Sequence, residues 1–290
     1  MLSYLLAVLA ACANATSSVL QRKANRDVSS KENLSWRLIW SLLHRPIWFA
    51  GILAITIGFL LQATALGFGQ LATVEPILVI ELPLTLILAA LIFGQGMHAR
   101  EWGSAATMTL GVGALLFFLA PSAGRNGHVH WYDWLIGISV NLALVGMLVF
   151  FGRRSPARGS RGSYRAALLG VAAGSAFGLT AALMKGMTGT FSHGIVNLFT
   201  SWEIYAMVAA GLLGMFLVQS AMNAGGLIAA QPGLTLSDPV ISVLWGVFAF
   251  DENVRGGWYI IPELAAATIM AAAVLALARS PLLANAAKET

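Results

Sequence analysis

Acidic residues inside apolar stretches are the groups in this sequence with the clearest capacity for chemistry. Glu75, Glu81 and Asp238 each lie within a long hydrophobic run, and Glu203 and Glu263 lie near the starts of two others. A charged side chain at the centre of a bilayer costs about 2.5–3.5 kcal/mol, so it normally faces a cavity or a partner. We therefore expect the first three acids either to hold a cation or a proton, or to be structural carboxyl groups that hydrogen-bond the backbone.

The runs that carry these acids are long enough to cross a membrane. Of the 290 residues, 58% are hydrophobic and only 10% are charged, whereas soluble domains contain about 25% charged residues. A helix needs about 20 apolar residues to cross the roughly 30 Å hydrocarbon core. We predict an all-α polytopic membrane protein of about nine transmembrane helices, over residues 2–20, 46–66, 70–94, 102–120, 131–151, 164–185, 197–219, 226–250 and 258–278.

The basic residues predict how these spans are oriented. If nine spans alternate in direction, all of the 17 Lys and Arg residues except Arg125, Lys185 and Arg255 fall on one side. Basic loops face the cytoplasm. We therefore expect a multi-pass protein of the plasma (inner) membrane, with its N-terminus outside and its C-terminus cytoplasmic. Because the net charge of +5 is a topology signal, it gives no support to nucleic-acid binding.

Two parts of the chain resemble each other when the sequence is shifted by 156 residues. Pro76 then aligns with Pro232, and Pro83 with Pro239. Gly69 meets Gly225, and Trp102 meets Trp258. The shift corresponds to five spans, an odd number, so the two copies would lie upside down relative to each other in the membrane. Such inverted repeats are a recurring architecture of secondary transporters.

The repeat predicts the domain organisation. Residues 1–120 form a first four-helix repeat, and 164–280 form the second, inverted one. Residues 121–163 contain a connecting span and a basic cytoplasmic loop, and 281–290 form a cytoplasmic tail. In this alignment Glu81 meets Ser237, one residue from Asp238, so the two acids are near-equivalents.

The candidate site residues follow from these positions. Carriers of substrate or protons are expected among the acids and one amide near mid-membrane: Glu81, Asp238, Glu75 and Gln231. Helix breaks that free backbone carbonyls, or kinks used for packing, are expected at Pro76, Pro83, Pro232 and Pro239. Small polar residues that line a cavity, or join helices, are Asn14, Thr16, Gln62 and Thr64.

Motifs for other chemistry are missing from the sequence. There is no phosphate-binding glycine loop, no Gly-x-Ser-x-Gly elbow and no zinc-protease spacing, so we expect neither an enzyme nor a cofactor. His128 and His130 lack a third ligand, which leaves any metal ligands undefined. The expected partners are the lipid bilayer and a small-molecule or cation substrate, and a homodimer is one assembly open to the chain.

The sequence resembles the drug/metabolite transporter superfamily, whose repeat unit is the EamA-type domain. The resemblance rests on Pro239 opening an apolar run that closes at Asp251-Glu252, with Pro83 opening a similar run in the first half. A narrower resemblance to the NIPA branch rests on Leu43–Gly51 (LHRPIWFAG) and on the basic loop after the first span. Eukaryotic members of that branch are associated with magnesium transport.

Three functions are compatible with these observations. We predict a secondary transporter of a small solute that works by alternating access, coupled to protons or another cation. A magnesium or divalent-cation transporter of NIPA type is the first alternative, and it requires several oxygen ligands that converge on one site. A non-transporting membrane scaffold or sensor is the second, and it requires mid-membrane acids that are paired off without a cavity.

Overall fold

The computed structural model describes residues 1–26, 46–94, 96–122, 124, 129–154, 160–191, 199–225 and 227–278. In these ranges the chain is helical, and its β pairing is confined to an isolated bridge between Ser122 and Asn253. The helices are α1 (Leu2–Arg26), α2 (Pro46–Phe68), α3 (Leu71–Leu78), α4 (Glu81–Phe93), α5 (Ala99–Leu119), α6 (Trp131–Arg154), α7 (Ser160–Phe191), α8 (Trp202–Gly225), α9 (Leu227–Phe248) and α10 (Ile260–Ala278). The expected all-α class is therefore confirmed.

Eight stretches of the described chain are long and apolar enough to cross a membrane, with α3 and α4 forming one of them. Helix α9 is of similar length but is not among these eight. Helices are therefore found at all nine predicted positions, and eight of them are candidate membrane spans in the described part of the chain. The predicted loop 21–45 beyond Arg26, His128 and the tail 281–290 lie outside the described residues.

The third hydrophobic run is divided into two helices, and a proline lies in the first turn of the second one. Helix α3 ends at Leu78 and α4 begins at Glu81, so Pro83 stands in the first turn of α4. There its missing N–H is not needed for the helix. The joining turn is tightened by bonds to the residue three positions back, from Ile80 N to Ile77 O (3.0 Å) and from Leu82 N to Val79 O (3.2 Å). The run thus continues across the turn with its backbone groups satisfied.

Helix α7 is the most buried of the candidate spans and packs closely against α8 and α9. Gly170, Gly174 and Gly178 recur every four residues along its contact with α9. A Cβ at Gly178 would come within 2.8 Å of the Ile241 side chain. Small residues at this spacing let two helices approach closely, as in many membrane proteins. The contact holds α9 and its acid at a fixed position beside α7.

Candidate functional site

A cavity of about 710 Å³ lies between α1, α2, α3, α4, α7 and α9. Its polar lining combines carboxyl, amide and hydroxyl groups: Asn14, Ser18, Gln62, Glu75, Glu81, Thr85, Thr180, Gln231, Thr235 and Asp238. No Lys, Arg or His belongs to the lining within the described ranges. The volume is that of a site for a small molecule, which typically occupies about 300–1,000 Å³.

The four residues predicted to carry substrate or protons all line this one cavity. Glu75 comes from α3, Glu81 from the first turn of α4, and Gln231 and Asp238 from α9. Asp238 is close enough to both glutamates to interact with them electrostatically. The fold therefore brings together acids that are more than 150 positions apart in the sequence.

Glu75 forms the most buried part of the cavity wall. Its side chain is only 3% exposed, and its Oε1 accepts a hydrogen bond of 2.9 Å from Gln62 Nε2. Glu81 is partly exposed and is hydrogen-bonded by the side chains of Asn14 and Ser18. Each glutamate therefore has an amide partner from α1 or α2. These partners are neutral hydrogen-bond donors rather than cations.

Asp238 has a hydroxyl partner on its own helix. Its Oδ1 atom is inaccessible to solvent, and its carboxyl group is hydrogen-bonded by the side chain of Ser242, one turn later on α9. Two turns before Asp238, Gln231 Nε2 donates to Thr235 Oγ1 at 3.2 Å. Pro239, next to the acid, has no N–H to donate to the Thr235 carbonyl. This carbonyl therefore lacks the bond that it would accept in an uninterrupted helix.

The other predicted residues divide between the cavity and the packing. Pro76 lies inside α3, and α9 runs continuously through Pro232 and Pro239, so these prolines interrupt backbone bonds without ending the helices. Asn14 and Gln62 line the cavity, but the remaining two residues predicted as lining do not. The hydroxyl of Thr16 donates to Cys12 O at 2.8 Å, and that of Thr64 to Leu60 O at 2.7 Å.

Sequence reasoning missed the apolar half of the wall. Phe177 and Met184 of α7 and Phe59 of α2 line the cavity. The signal was present in α7, where the lining positions 177, 180, 181 and 184 follow the i, i+3, i+4, i+7 pattern of one helix face. Because this helix is apolar on most sides, the polarity of its residues does not distinguish the lining positions from the others. The acids Glu203 and Glu263 lie in the first turns of α8 and α10, outside the lining.

One end of the bundle is closed by a buried ion pair, and we call it the Lys185 end. Lys185 Nζ contacts the carboxylate of Glu252 and donates to Gly69 O at 2.9 Å. The same carboxylate accepts from Leu71 N (2.7 Å) and Ala72 N (2.9 Å) at the start of α3. A carboxylate at a helix N-terminus is stabilised by both the N–H groups and the helix dipole. This contact joins α7, α3 and the segment after α9.

Aromatic side chains fill the space next to this ion pair. The buried Trp134 ring lies 5.4 Å from the rings of both Trp202 and Trp245, and 5.9 Å from Phe250. Lys185 Nζ lies 5.2 Å from the centroid of the Phe250 ring. Apolar contacts of this kind exclude water, so the cavity is sealed towards the Lys185 end.

The opposite end, which we call the Arg22 end, lies nearer the exposed part of the lining. The Arg22 guanidinium is 5.2 Å from the Phe93 ring at the end of α4. Ser18 and Ile55, which lie nearer to this end than Asn14 does, are exposed members of the cavity wall. The buried wall at Glu75 therefore lies nearer the Lys185 end, and part of the exposed wall lies nearer the Arg22 end.

Comparison with known proteins places the chain in a family. It is 30% identical over 286 residues to an uncharacterized protein of Corynebacterium glutamicum, and the match covers 97% of each chain. The chain belongs to the same family as this corynebacterial protein. No family model matches it, and no solved structure does. The match extends over almost the entire length of both chains, so the two proteins are related throughout the helical bundle.

Proposed function

We propose that the protein is a secondary transporter that moves a small solute across the membrane by alternating access. The observation that carries the proposal is the cavity itself, which holds three acids without a basic residue and lies beside an end of the bundle that a buried ion pair closes. A scaffold would be expected to pair such acids off in a dry core, because unpaired mid-membrane charges are costly. Because no basic side chain of the described residues lines the cavity, the acids supply sites at which a proton or a cation could be exchanged.

Matching features in the two parts of the chain support an inverted repeat of the EamA type. Arg22 lies over Phe93 at one end of the bundle, and Lys185 lies over Phe250 at the other. The two phenylalanines are 157 positions apart, close to the shift of 156 that aligns the prolines. Helices α5 and α10, which would correspond in such a repeat, pack directly against each other. On this basis we propose membership of the drug/metabolite transporter superfamily.

The divalent-cation alternative has less support in the cavity. Within the described ranges, no three His, Cys, Asp or Glu side chains converge closely enough to hold one metal ion. A hard cation such as Mg²⁺ is bound by several oxygen atoms at about 2.0–2.1 Å, often including retained waters. A largely apolar wall with dispersed acids suits an organic solute better. Magnesium entry into proteoliposomes is therefore measured for comparison with the uptake of organic solutes.

Alternating access is tested by cysteine accessibility. Cys12→Ala removes the single native cysteine, after which Thr85→Cys reports on the cavity and Met187→Cys reports on the sealed Lys185 end. A membrane-impermeant maleimide is applied from each side of oriented proteoliposomes. We expect Thr85→Cys to react from the Arg22 side and Met187→Cys to be protected.

Weakening the closed end should reverse this pattern. In the Lys185→Met background we expect Met187→Cys to become reactive from the Lys185 side while Thr85→Cys loses reactivity. Arg255→Met is the control, because Arg255 lies at the same end, over the ring of Tyr259 rather than in the ion pair. Reactivities that never change in opposite directions would overturn alternating access and favour the scaffold.

A further inference from the structure

The two members of the ion pair at the Lys185 end belong to helices that are already packed together. Lys185 lies on α7, which packs closely against α9, and Glu252 follows the end of α9 by four residues. The Glu252 N–H donates to Gly246 O of α9 at 2.9 Å, and a Cβ at Gly246 would clash with Glu252 Oε2. The carboxylate is therefore seated on α9, beside the helix that carries its cation.

The segment that carries Glu252 is also fixed to the end of α5, and we call this segment, residues 249–255, the strap. Asn253 and Ser122 exchange backbone hydrogen bonds of 2.9 and 3.2 Å. The Arg255 N–H donates to Leu119 O at 3.0 Å. With α9 on one side and α5 on the other, the strap holds the carboxylate in place.

The ion pair binds the start of α3 only through the backbone of that segment. The carboxylate accepts from Leu71 N at 2.7 Å and from Ala72 N at 2.9 Å. The ammonium group donates to Gly69 O at 2.9 Å. The N-cap residue Gln70 makes no side-chain bond of its own to the helix start. The first turn of α3 is thus capped by groups that belong to α7 and to the strap.

This first turn is attached to a different part of the bundle from the ion pair. Only two residues separate α2 from α3, and a Cβ at Gly69 would come within 2.5 Å of Ser3 Cβ on α1. Helices α1 and α2 pack against each other. Pro76 has no N–H to donate to Ala72 O, so the first turn has fewer bonds to the rest of α3, which crosses α9. A movement of α1 and α2 relative to α7 and α9 would therefore pull the first turn away from the ion pair.

We propose that the Lys185 end opens when the first turn of α3 undocks from the Lys185–Glu252 ion pair, and that the ion pair itself stays intact. Separating a buried pair would leave uncompensated charges, whereas the backbone groups at a helix end can be hydrogen-bonded by water instead. The ion pair is then a fixed receptor for a helix N-terminus. This inference rests on the proposed transport function and specifies how one end of its pathway opens.

Leu71→Pro tests the undocking by removing one of the three bonds while keeping the helix. Proline is favoured at the first position of a helix, and Gln70 has the extended backbone (φ −83°, ψ 144°) that a following proline requires. The proline ring has no N–H for the Glu252 carboxylate. Leu71→Ala is the matched control, because it removes more of the buried side chain but keeps the N–H.

The readout is the reaction of Met187→Cys with the impermeant maleimide in the Cys12→Ala background. We expect this cysteine to react from the Lys185 side roughly tenfold or more faster with Leu71→Pro than with Leu71→Ala, because a lost hydrogen bond at a buried carboxylate shifts the equilibrium by about that factor. Equal rates in the two variants would overturn the undocking.

The survival of the ion pair is measured by the thermal midpoint in detergent. Lys185→Met should lower the midpoint by a similar amount in the Leu71→Pro and Leu71→Ala backgrounds, because the pair is present in both. A fall that is seen with Leu71→Ala but absent with Leu71→Pro would show that the pair separates when the end opens, and would overturn the proposal.

Hydrogen exchange in the wild-type protein tests the same point without any variant. The amides of Leu71 and Ala72 should exchange faster than the amide of Glu252, because undocking frees the first two while the bond from Glu252 N to Gly246 O remains. Exchange of all three amides at one rate, or faster exchange at Glu252, would mean that the strap moves away with its carboxylate, contrary to the proposal.

Two combinations of results separate this inference from the transport function. If Leu71→Pro makes Met187→Cys reactive but Thr85→Cys keeps its reactivity, the undocking stands and alternating access is overturned. If the two cysteines change in opposite directions in Lys185→Met but not in Leu71→Pro, the transporter stands and the undocking of α3 is overturned.

Discussion

The buried acids at the Lys185 end and in the cavity differ in their partners. At the Lys185 end, Glu252 has a cation and two backbone N–H groups as partners, and Lys185 also donates to a carbonyl. In the cavity, Glu75, Glu81 and Asp238 have only neutral amide or hydroxyl partners. The first arrangement neutralises the buried carboxylate and closes one end of the bundle, whereas the second leaves the carboxyl groups without a cation. Neutralisation by a cation thus distinguishes the structural Glu252 from the acids that we propose to be functional.

The largest effect is expected when the ion pair is broken from one side. Lys185→Met leaves the Glu252 carboxylate, which is 2% exposed, without its cation. Removing one partner of a buried pair typically costs about 3–5 kcal/mol of stability, so the thermal midpoint in detergent should fall strongly. The double variant Lys185→Met/Glu252→Gln should recover part of the loss, because the remaining group is then neutral. A single variant as stable as Arg255→Met would show that the ion pair does not hold this end closed.

The next effect concerns the close contact between α7 and α9. A Cβ at Gly174 would clash with the Ser237 side chain and with the Leu234 backbone. Overpacking of this kind costs about 1–3 kcal/mol, so we expect Gly174→Ala to lower the thermal midpoint. Gly146→Ala on α6, where a Cβ meets no atom within 4 Å, is the control, and it should be neutral or slightly stabilising. Equal midpoints for the two variants would refute the tight α7–α9 contact.

A smaller effect on stability is expected in the cavity, where it is accompanied by loss of transport. Glu81→Gln and Asp238→Asn remove charges that have no cation partner, so we expect stability to change by less than about 1 kcal/mol or to increase. Both variants should nevertheless lose transport in proteoliposomes. Glu252→Gln should show the reverse, a large loss of stability. A strong destabilisation by either cavity variant would mean that these acids are structural.

The helices could be predicted from the sequence because apolar runs of membrane-spanning length are a local signal. The division between α3 and α4 was also predictable from Pro83, but the continuity of α9 through Pro239 was not. The Ser237 hydroxyl bonds Gly233 O of its own helix and Val171 O of α7, and the second bond is a tertiary contact that no local pattern announces. The pairing of Lys185 with Glu252 was likewise out of reach, since no local pattern joins residues 67 positions apart.

Two polar residues of α1 also show what cannot be predicted from the sequence alone. Substituting one of them gives the smallest effect on stability that we predict. Asn14 and Thr16 are two positions apart on α1, and only Asn14 faces the cavity. Helical geometry separates such positions by about 200°, so the sequence predicts one of them for the cavity but does not say which. Because the Thr16 hydroxyl bonds its own helix, Thr16→Ala should change stability by less than about 0.5 kcal/mol and leave transport unaltered. Asn14→Ala should weaken transport, because it removes a partner that orients Glu81. Weakened transport in Thr16→Ala would show that this threonine reaches the substrate after all, and that the cavity extends further around α1 than its lining indicates.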